Sequence, residues 1–343
     1  MGTSGVDSGI ADSTSKSAAT AANRICVLYI GGTGRTGSTL LTRLLGQYPQ
    51  FFAAGELAFL WRFGFLNSGK CGCGEPIRDC QVWSKVFQEA YGGSGNVDAA
   101  EMVRLRQRFN SKHMPLMLTQ KLRSSLLDRS GQFPSTVERL YQGISHATGC
   151  RVIVDSSKEP HYSYILRSLP TLDVHFLHLV RDPRAVAYSW KENRKREEGL
   201  SADVMMESRG ALVSSAYYNI SNIAAEVMWA RCDNRYQILR YEDFLEKPAQ
   251  TIRSIGSFVG EDIDPGLVLR DGELTLRESH TAWGNPNRFD RGHVKLRSDE
   301  RWRLQMPKYR RLAVTALTFP LVKHYHYSLH NVDKQADSTR GQT

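Results

Sequence analysis

Between residues 24 and 45 a short apolar run, Arg24-Ile-Cys-Val-Leu-Tyr-Ile30, gives way at once to Gly31-Gly-Thr-Gly-Arg-Thr-Gly-Ser-Thr39 and then to Leu40, Leu41, Leu44 and Leu45. β-Branched and aromatic residues favour an extended strand, the glycines interrupt it, and leucines three and four apart make one apolar helical face. The segment therefore reads as strand, glycine loop, helix. Such a junction aims backbone N–H groups and the positive end of a helix at an anion, most often a phosphate.

Further buried strands are expected at Arg151–Val154, Val174–Val180 and Tyr236–Tyr241, each followed by a helix-like stretch. Strands alternating with helices imply an α/β fold with a central parallel sheet and helices on both faces. Between Leu57 and Gly149 the pattern changes to a Gly/Cys-rich turn region at 68–80 and helical periodicity at 98–146. This stretch, about 57–149, reads as a helical insertion over the ligand edge of the sheet. A single domain is expected over 24–332. The tails 1–23 and 333–343, of low complexity, are expected to be disordered.

At 343 residues the chain needs no disulfide or metal staples to build a core. The longest apolar runs, Leu57–Leu66 and Leu312–Val322, are broken by Arg62 and Pro320 and fall short of a membrane span. Residues 1–23 lack the basic start and apolar centre of a secretory signal, so a cytoplasmic location is expected. The net charge of +10 sits in the folded part, because the tails together carry −1. That excess points to an anionic partner. No basic stripe is interleaved with stacking aromatics, so nucleic acid is not expected, and the run Lys191–Arg196, mixed with glutamates, reads as a solvated helix end.

Which phosphate the loop holds is open on the loop alone. Gly32-x-Gly34-x-x-Gly37 satisfies a dinucleotide fingerprint, and Glu56 lies where a ribose-binding acid could sit, which keeps a nicotinamide-dependent oxidoreductase as an alternative. The same residues fit most of a nucleoside-triphosphate loop, but Ser38 stands in place of the lysine that reaches the terminal phosphates, which weighs against ATP or GTP.

Downstream, His178-Leu-Val-Arg-Asp-Pro-Arg-Ala-Val-Ala-Tyr-Ser-Trp190 puts Arg181 at a strand end and Ser189 on the following helix. With Gly34-Arg-Thr-Gly-Ser-Thr-Leu-Leu41 this closely resembles the two phosphate-binding motifs of the sulfotransferases that use 3′-phosphoadenosine 5′-phosphosulfate (PAPS). Two more stretches, Arg35 to Ala54-Gly-Glu-Leu57 and Val154-Asp-Ser-Ser-Lys-Glu-Pro160, tie the resemblance to the branch containing tyrosylprotein and many bacterial enzymes, and Tyr236–Leu245 with Tyr241-Glu-Asp is similar to the family at large. Gly284-Asn-Pro-Asn-Arg-Phe289 is a looser match.

The resemblance implies sulfuryl transfer from PAPS, with PAP (adenosine 3′,5′-bisphosphate) as product, to a hydroxyl-bearing acceptor. It assigns the 5′-phosphosulfate to Arg35, Thr36, Gly37, Ser38 and Thr39, and the 3′-phosphate to Arg181 and Ser189. Tyr241 and Arg288 are further cofactor candidates. Glu56 is implied as general base, with Lys158 and Arg35 on the sulfuryl and bridging oxygens. A dianionic phosphate suits a guanidinium and a hydroxyl donor, although Arg181 could instead merely pair with Asp182. His161 and His280 are reserve bases.

No apolar run is long enough for an anchor, so the acceptor is expected to be a small molecule, carbohydrate or lipid rather than a protein tyrosine. Its pocket is expected among Leu57–Leu66, the 98–146 region and Trp283. A non-catalytic phosphonucleotide-binding protein is the alternative of another class, and a homodimer stays open. The scheme requires no metal. Cys71-x-Cys73 with Cys80 could hold zinc if a fourth ligand came from elsewhere, but the spacing lacks a paired C-x-x-C, and a disulfide or free-thiol turn beside Trp83 is the preferred reading. Cys26, Cys150 and Cys232 read as packing residues.

Overall fold

The computed structural model describes residues 24–109, 113–117, 119–191, 209–232, 234–270 and 272–329. Both expected tails, and the mixed-charge run beyond Lys191, lie outside the described residues. Five strands, β1 (Ile25–Gly31), β2 (Phe51–Gly55), β3 (Val152–Lys158), β4 (Leu172–Val180) and β5 (Tyr236–Arg240), form one sheet in the order β2-β3-β1-β4-β5. Every adjacent pair is parallel.

Successive strand residues point to opposite faces, and both faces are apolar and covered. On one side Leu28, Ile30, Val152, Val154, Leu177 and Leu179 pack against Leu41, Leu44 and Leu45 of the helix Ser38–Leu45. On the other, Val27, Tyr29, Ile153 and Phe176 meet Trp83, Tyr141, Ile144 and Trp229. Cys150 and Cys232 belong to this second cluster and Cys26 flanks the first, in keeping with a packing role.

β2 is the strand that the apolar pattern leaves unmarked. Its sequence, Phe-Phe-Ala-Ala-Gly, is short and carries no β-branched residue, so only its partner β3 makes it a strand. Between β2 and β3 the chain is mainly helical. Gln81–Tyr91 and Phe133–Thr148 cross closely at Gly143, where an added Cβ would lie 2.7 Å from Ala90 Cβ.

A smaller antiparallel sheet, β6 (Leu269–Arg270), β7 (Glu273–Leu276) and β8 (Gly292–Lys295), was not legible in the sequence. Leu274 and Leu276 join the core beneath the helix Ser38–Leu45. The buried Arg43 of that helix donates to the carbonyls of Asn287 (2.8 Å), Arg277 (3.3 Å) and Asp290. The strap 277–291 between β7 and β8 is thereby drawn back across the carboxyl end of β2. There Ala282 N–H donates to Ala54 O at 2.9 Å, and Glu56 N–H to Trp283 O at 3.1 Å.

Candidate active site

Each strand of the large sheet delivers one expected residue at its carboxyl end. β1 runs into the glycine loop, β2 into Glu56, β3 ends on Lys158, β4 leads to Arg181 and β5 to Tyr241. Because the order is β2-β3-β1-β4-β5, these groups line up along one edge as Glu56, Lys158, the loop, Arg181 and Tyr241. Ligands of parallel sheets bind at this edge, where strand and helix ends meet.

The loop's shape follows from its backbone. Gly32 (φ 112°), Arg35 (φ 70°) and Gly37 (φ 87°) adopt positive-φ conformations that curl the segment, and Gly32 N–H donates to Lys158 O at 3.3 Å. Gly37 precedes the helix Ser38–Leu45 and no side chain caps it, so the first-turn N–H groups remain available to an anion. A Cβ on Gly37 would stand 2.2 Å from the Tyr241 ring, which packs directly on the loop. Thr33 Oγ1 is buried in the loop without a hydrogen-bond partner among the described residues.

Arg35, Arg181 and Ser189 converge. Arg181 Nη1 donates to Arg35 O at 3.1 Å, and Arg35 Nη2 donates to Ser189 O at 3.4 Å. The Arg35 guanidinium lies 5.2 Å from the Trp190 ring, and that of Arg181 lies 4.8 Å from Tyr241, so both cations are held by aromatic faces. Tyr218 Oη donates to Arg181 O at 3.0 Å and fixes the backbone there. Beside Arg181 opens a cleft of about 520 Å³ lined by Arg184, Arg240, Trp302, Arg303 and Tyr327 among others. Asp182, Glu242, Glu246, Asp299 and Glu300 line it as well, whereas the loop, Ser189 and Tyr241 do not.

At the other end Lys158 Nζ forms an ion pair with Glu56 Oε1, both side chains only 14% exposed. Lys158 has φ 70°, unusual for a non-glycine at a strand end, and such backbone strain gathers at functional sites. A network with Asp155 supports this position. Asp155 accepts from Ser157 N–H at 2.8 Å and from Tyr141 Oη, while Ser157 Oγ accepts from Ala58 N–H at 2.9 Å. Burial raises the Asp155 carboxyl from 3.8 to about 6 against the opposing pull of these donors. Nothing in the sequence pattern singles out Tyr141, which lies in the insertion.

Gly284 bridges the loop and Glu56: a Cβ there would lie 3.5 Å from Thr39 Oγ1 and 3.8 Å from Glu56 Oε1. Asn285 N–H also donates to Thr39 Oγ1 at 3.4 Å. Trp283 stacks on Phe63 with ring centroids 4.3 Å apart, and Phe63 belongs to the turn Leu60–Leu66, widened so that Asn67 N–H reaches Arg62 O at 3.1 Å. Arg288 is buried on this side. It donates to Gly284 O (2.8 Å) and Lys70 O (3.3 Å), and its charge acts on Glu56. Burial pulls its guanidinium down to about 10, still charged at neutral pH.

The reserve bases have other partners. His161 Nε2 lies 3.3 Å from Glu159 Oε2, and His280 Nδ1 faces Cys80 and Cys71. The dinucleotide alternative also loses its geometry. In that fold the ribose-binding acid follows the strand next to β1, whereas here β3 separates β1 from the strand that carries Glu56.

The model of the sulfotransferase family matches residues 28–265, a span that contains the loop, Glu56, Lys158, Arg181, Ser189 and Tyr241. This chain belongs to the sulfotransferase family. Mouse carbohydrate sulfotransferase 3 is 29% identical over 177 residues, 47% of this chain and 35% of the relative. The nodulation protein NoeE of Sinorhizobium fredii (strain NBRC 101917 / NGR234) is 23% identical over 292 residues, covering 82% of this chain and 60% of NoeE. The chain thus spans about a third of the length of the first relative and about three-fifths of the second. The fold is also that of the sulfotransferase domain from the Synechococcus PCC 7002 olefin synthase. That likeness has a TM-score of 0.52 at 21% identity and covers 90% of this chain and 97% of that domain.

Proposed function

We propose that this chain transfers a sulfuryl group from PAPS to a hydroxyl of a small-molecule, carbohydrate or lipid acceptor. The observation that carries the reading is the edge order Glu56, Lys158, loop, Arg181, Tyr241. It offers a base and a cation at one end, an anion cradle in the middle and a second cation against the Tyr241 ring at the other.

In this reading the loop N–H groups from Thr36 to Thr39 and the helix N-terminus hold the 5′-phosphate end, and Arg35 reaches the bridging oxygen. Arg181 and Ser189 hold the 3′-phosphate while Tyr241 packs on the loop. Glu56 takes the proton of the acceptor hydroxyl as its oxygen bonds to sulfur, and the sulfur–oxygen bond to the 5′-phosphate breaks in line. The products are the sulfate ester and PAP. Lys158, paired with Glu56 in the structure, turns to the sulfuryl oxygens when the donor is bound, which frees the carboxylate for the acceptor. Arg288 backs Glu56 from below, a place that suits charge support of the base better than contact with the 3′-phosphate.

The stacked Phe63–Trp283 pair beside Glu56 gives an aromatic face that suits the C–H face of a sugar ring, and the relatives named as carbohydrate sulfotransferases favour a carbohydrate acceptor. The test is calorimetric titration of wild type and Arg181→Ala with PAP, NAD and ATP, followed by PAPS turnover with a panel of hydroxyl acceptors. PAP binding that the substitution weakens at least tenfold supports the reading. NAD binding without PAP binding overturns it.

A further inference from the structure

Three thiols of the 71–80 turn and one imidazole of the strap, 200 positions beyond Cys80, meet beside the β2 end of the sheet. The Sγ atoms of Cys71, Cys73 and Cys80 and a ring nitrogen of His280 all lie within 4.8 Å of one another. His280 Nδ1 is 3.3 Å from Cys80 Sγ and 3.8 Å from Cys71 Sγ. Bond lengths of about 2.3 Å to sulfur and about 2.0–2.1 Å to nitrogen give a tetrahedral zinc site S–S edges of about 3.8 Å and S–N edges of about 3.6 Å. The two observed S–N separations bracket the second value. We infer that Cys71, Cys73, Cys80 and His280 form a structural zinc site.

Local chain geometry brings the thiols together as a knuckle. Cys71 N–H donates to Glu75 O at 2.7 Å, Gly74 N–H to Cys71 O at 2.8 Å and Cys80 N–H to Pro76 O at 3.0 Å. Gly74 turns with φ 102°, which lets the chain double back between Cys73 and Cys80. His280 is presented from the strap by two clamps outside its ring. Trp83 Nε1 donates to His280 O at 2.7 Å, and Gly72 N–H to Thr281 O at 2.9 Å. Cys71 and Cys80 are fully buried, and none of the three thiols is in a disulfide. A pairing of any two would leave the third thiol and the imidazole packed against a disulfide with no work for either.

Four protein ligands close a tetrahedral zinc and leave no position for water, so the ion is a staple and not a Lewis acid. It ties the 71–80 turn to strap residues 280–283, and the strap in turn supplies Trp283 O to the N–H of Glu56. The inference stands on the cluster alone and does not depend on the donor or the acceptor.

The test is metal analysis of the full chain, expressed in zinc-containing medium and purified without chelator. About one zinc per chain is expected by plasma mass spectrometry. Cys73→Ser and His280→Ala should lose most of it, whereas His280→Cys, which restores four ligands, and Cys232→Ser, outside the cluster, should keep it. Exchange with cobalt(II) should give thiolate-to-metal charge-transfer absorption and the strong visible bands of a tetrahedral ion. Folded wild-type protein that carries no zinc and gives no such cobalt spectrum overturns the inference. So does a disulfide between any two of the three cysteines found by mass spectrometry. Neither reading depends on the variants folding.

Discussion

Glu56 and Lys158 stand at the ends of neighbouring strands and meet as an ion pair, though 102 positions separate them in the chain. Resemblance of short motifs marked both residues, but it could not supply their contact, the left-handed backbone of Lys158 or the support from Asp155 and Tyr141. Those depend on which strands the sheet makes adjacent. If Glu56 is the base, Glu56→Gln should lower kcat by about 10²–10⁴ and leave PAP affinity within about twofold, because the change removes a proton acceptor and not a donor contact. Lys158→Ala should also lower kcat with PAP affinity largely kept, since PAP lacks the sulfuryl group. Steady-state kinetics with calorimetry separate these outcomes, and near-normal turnover by Glu56→Gln would move the base elsewhere.

At the level of elements, the glycine loop, four of the five strands of the large sheet (β1, β3, β4 and β5) and the helices that follow them could be read from apolar periodicity. β2 and the strap could not, since each owes its conformation to a distant partner: β3 for one, Arg43 and the β2 end for the other. The zinc cluster was half visible, as three cysteines whose fourth ligand lies 200 residues from Cys80. Gly37 joins loop, helix and β5 in one contact. Gly37→Ala forces a side chain into φ 87° and onto the Tyr241 ring, at a cost of about 1 kcal/mol for the backbone and about 1–3 kcal/mol for the overlap. Thermal unfolding should show the loss, and PAP titration should show weaker binding, since the loop must shift to make room. Removal of zinc should act on the strap. Amide exchange at Glu56, whose N–H is held by Trp283 O, should quicken while β1 and β4 keep their protection.

Across the whole molecule, two buried groups tie stability to pH with opposite signs. His178 is held neutral between Asn222 and Tyr236. The Asn222 amide donates to Tyr218 O at 2.9 Å, which leaves its Oδ1 to accept from His178 Nε2–H at 2.8 Å, and Nδ1 then accepts from Tyr236 Oη at 2.7 Å. Burial lowers the imidazole from 6.5 to about 4. The unfolded chain therefore binds this proton where the native protein does not, and the histidine's contribution is complete above pH 6.5 and lost as pH falls toward 4. Asp155 behaves in the reverse way. Its raised carboxyl keeps a proton that the unfolded chain has released, so its contribution is complete below pH 3.8 and lost as pH rises through about 6. Over roughly pH 4 to 6 one proton is gained and one lost on unfolding, and these two slopes largely cancel. Asp155→Asn removes one of them. Its unfolding free energy should then rise with pH across that window more steeply than that of wild type, by up to about 1.4 kcal/mol per pH unit. Every other titrating group is common to both proteins, so the difference between urea unfolding curves at matched ionic strength isolates the effect. Parallel profiles would mean that Asp155 is already ionised throughout the window, with its donors from Ser157 and Tyr141 outweighing its burial.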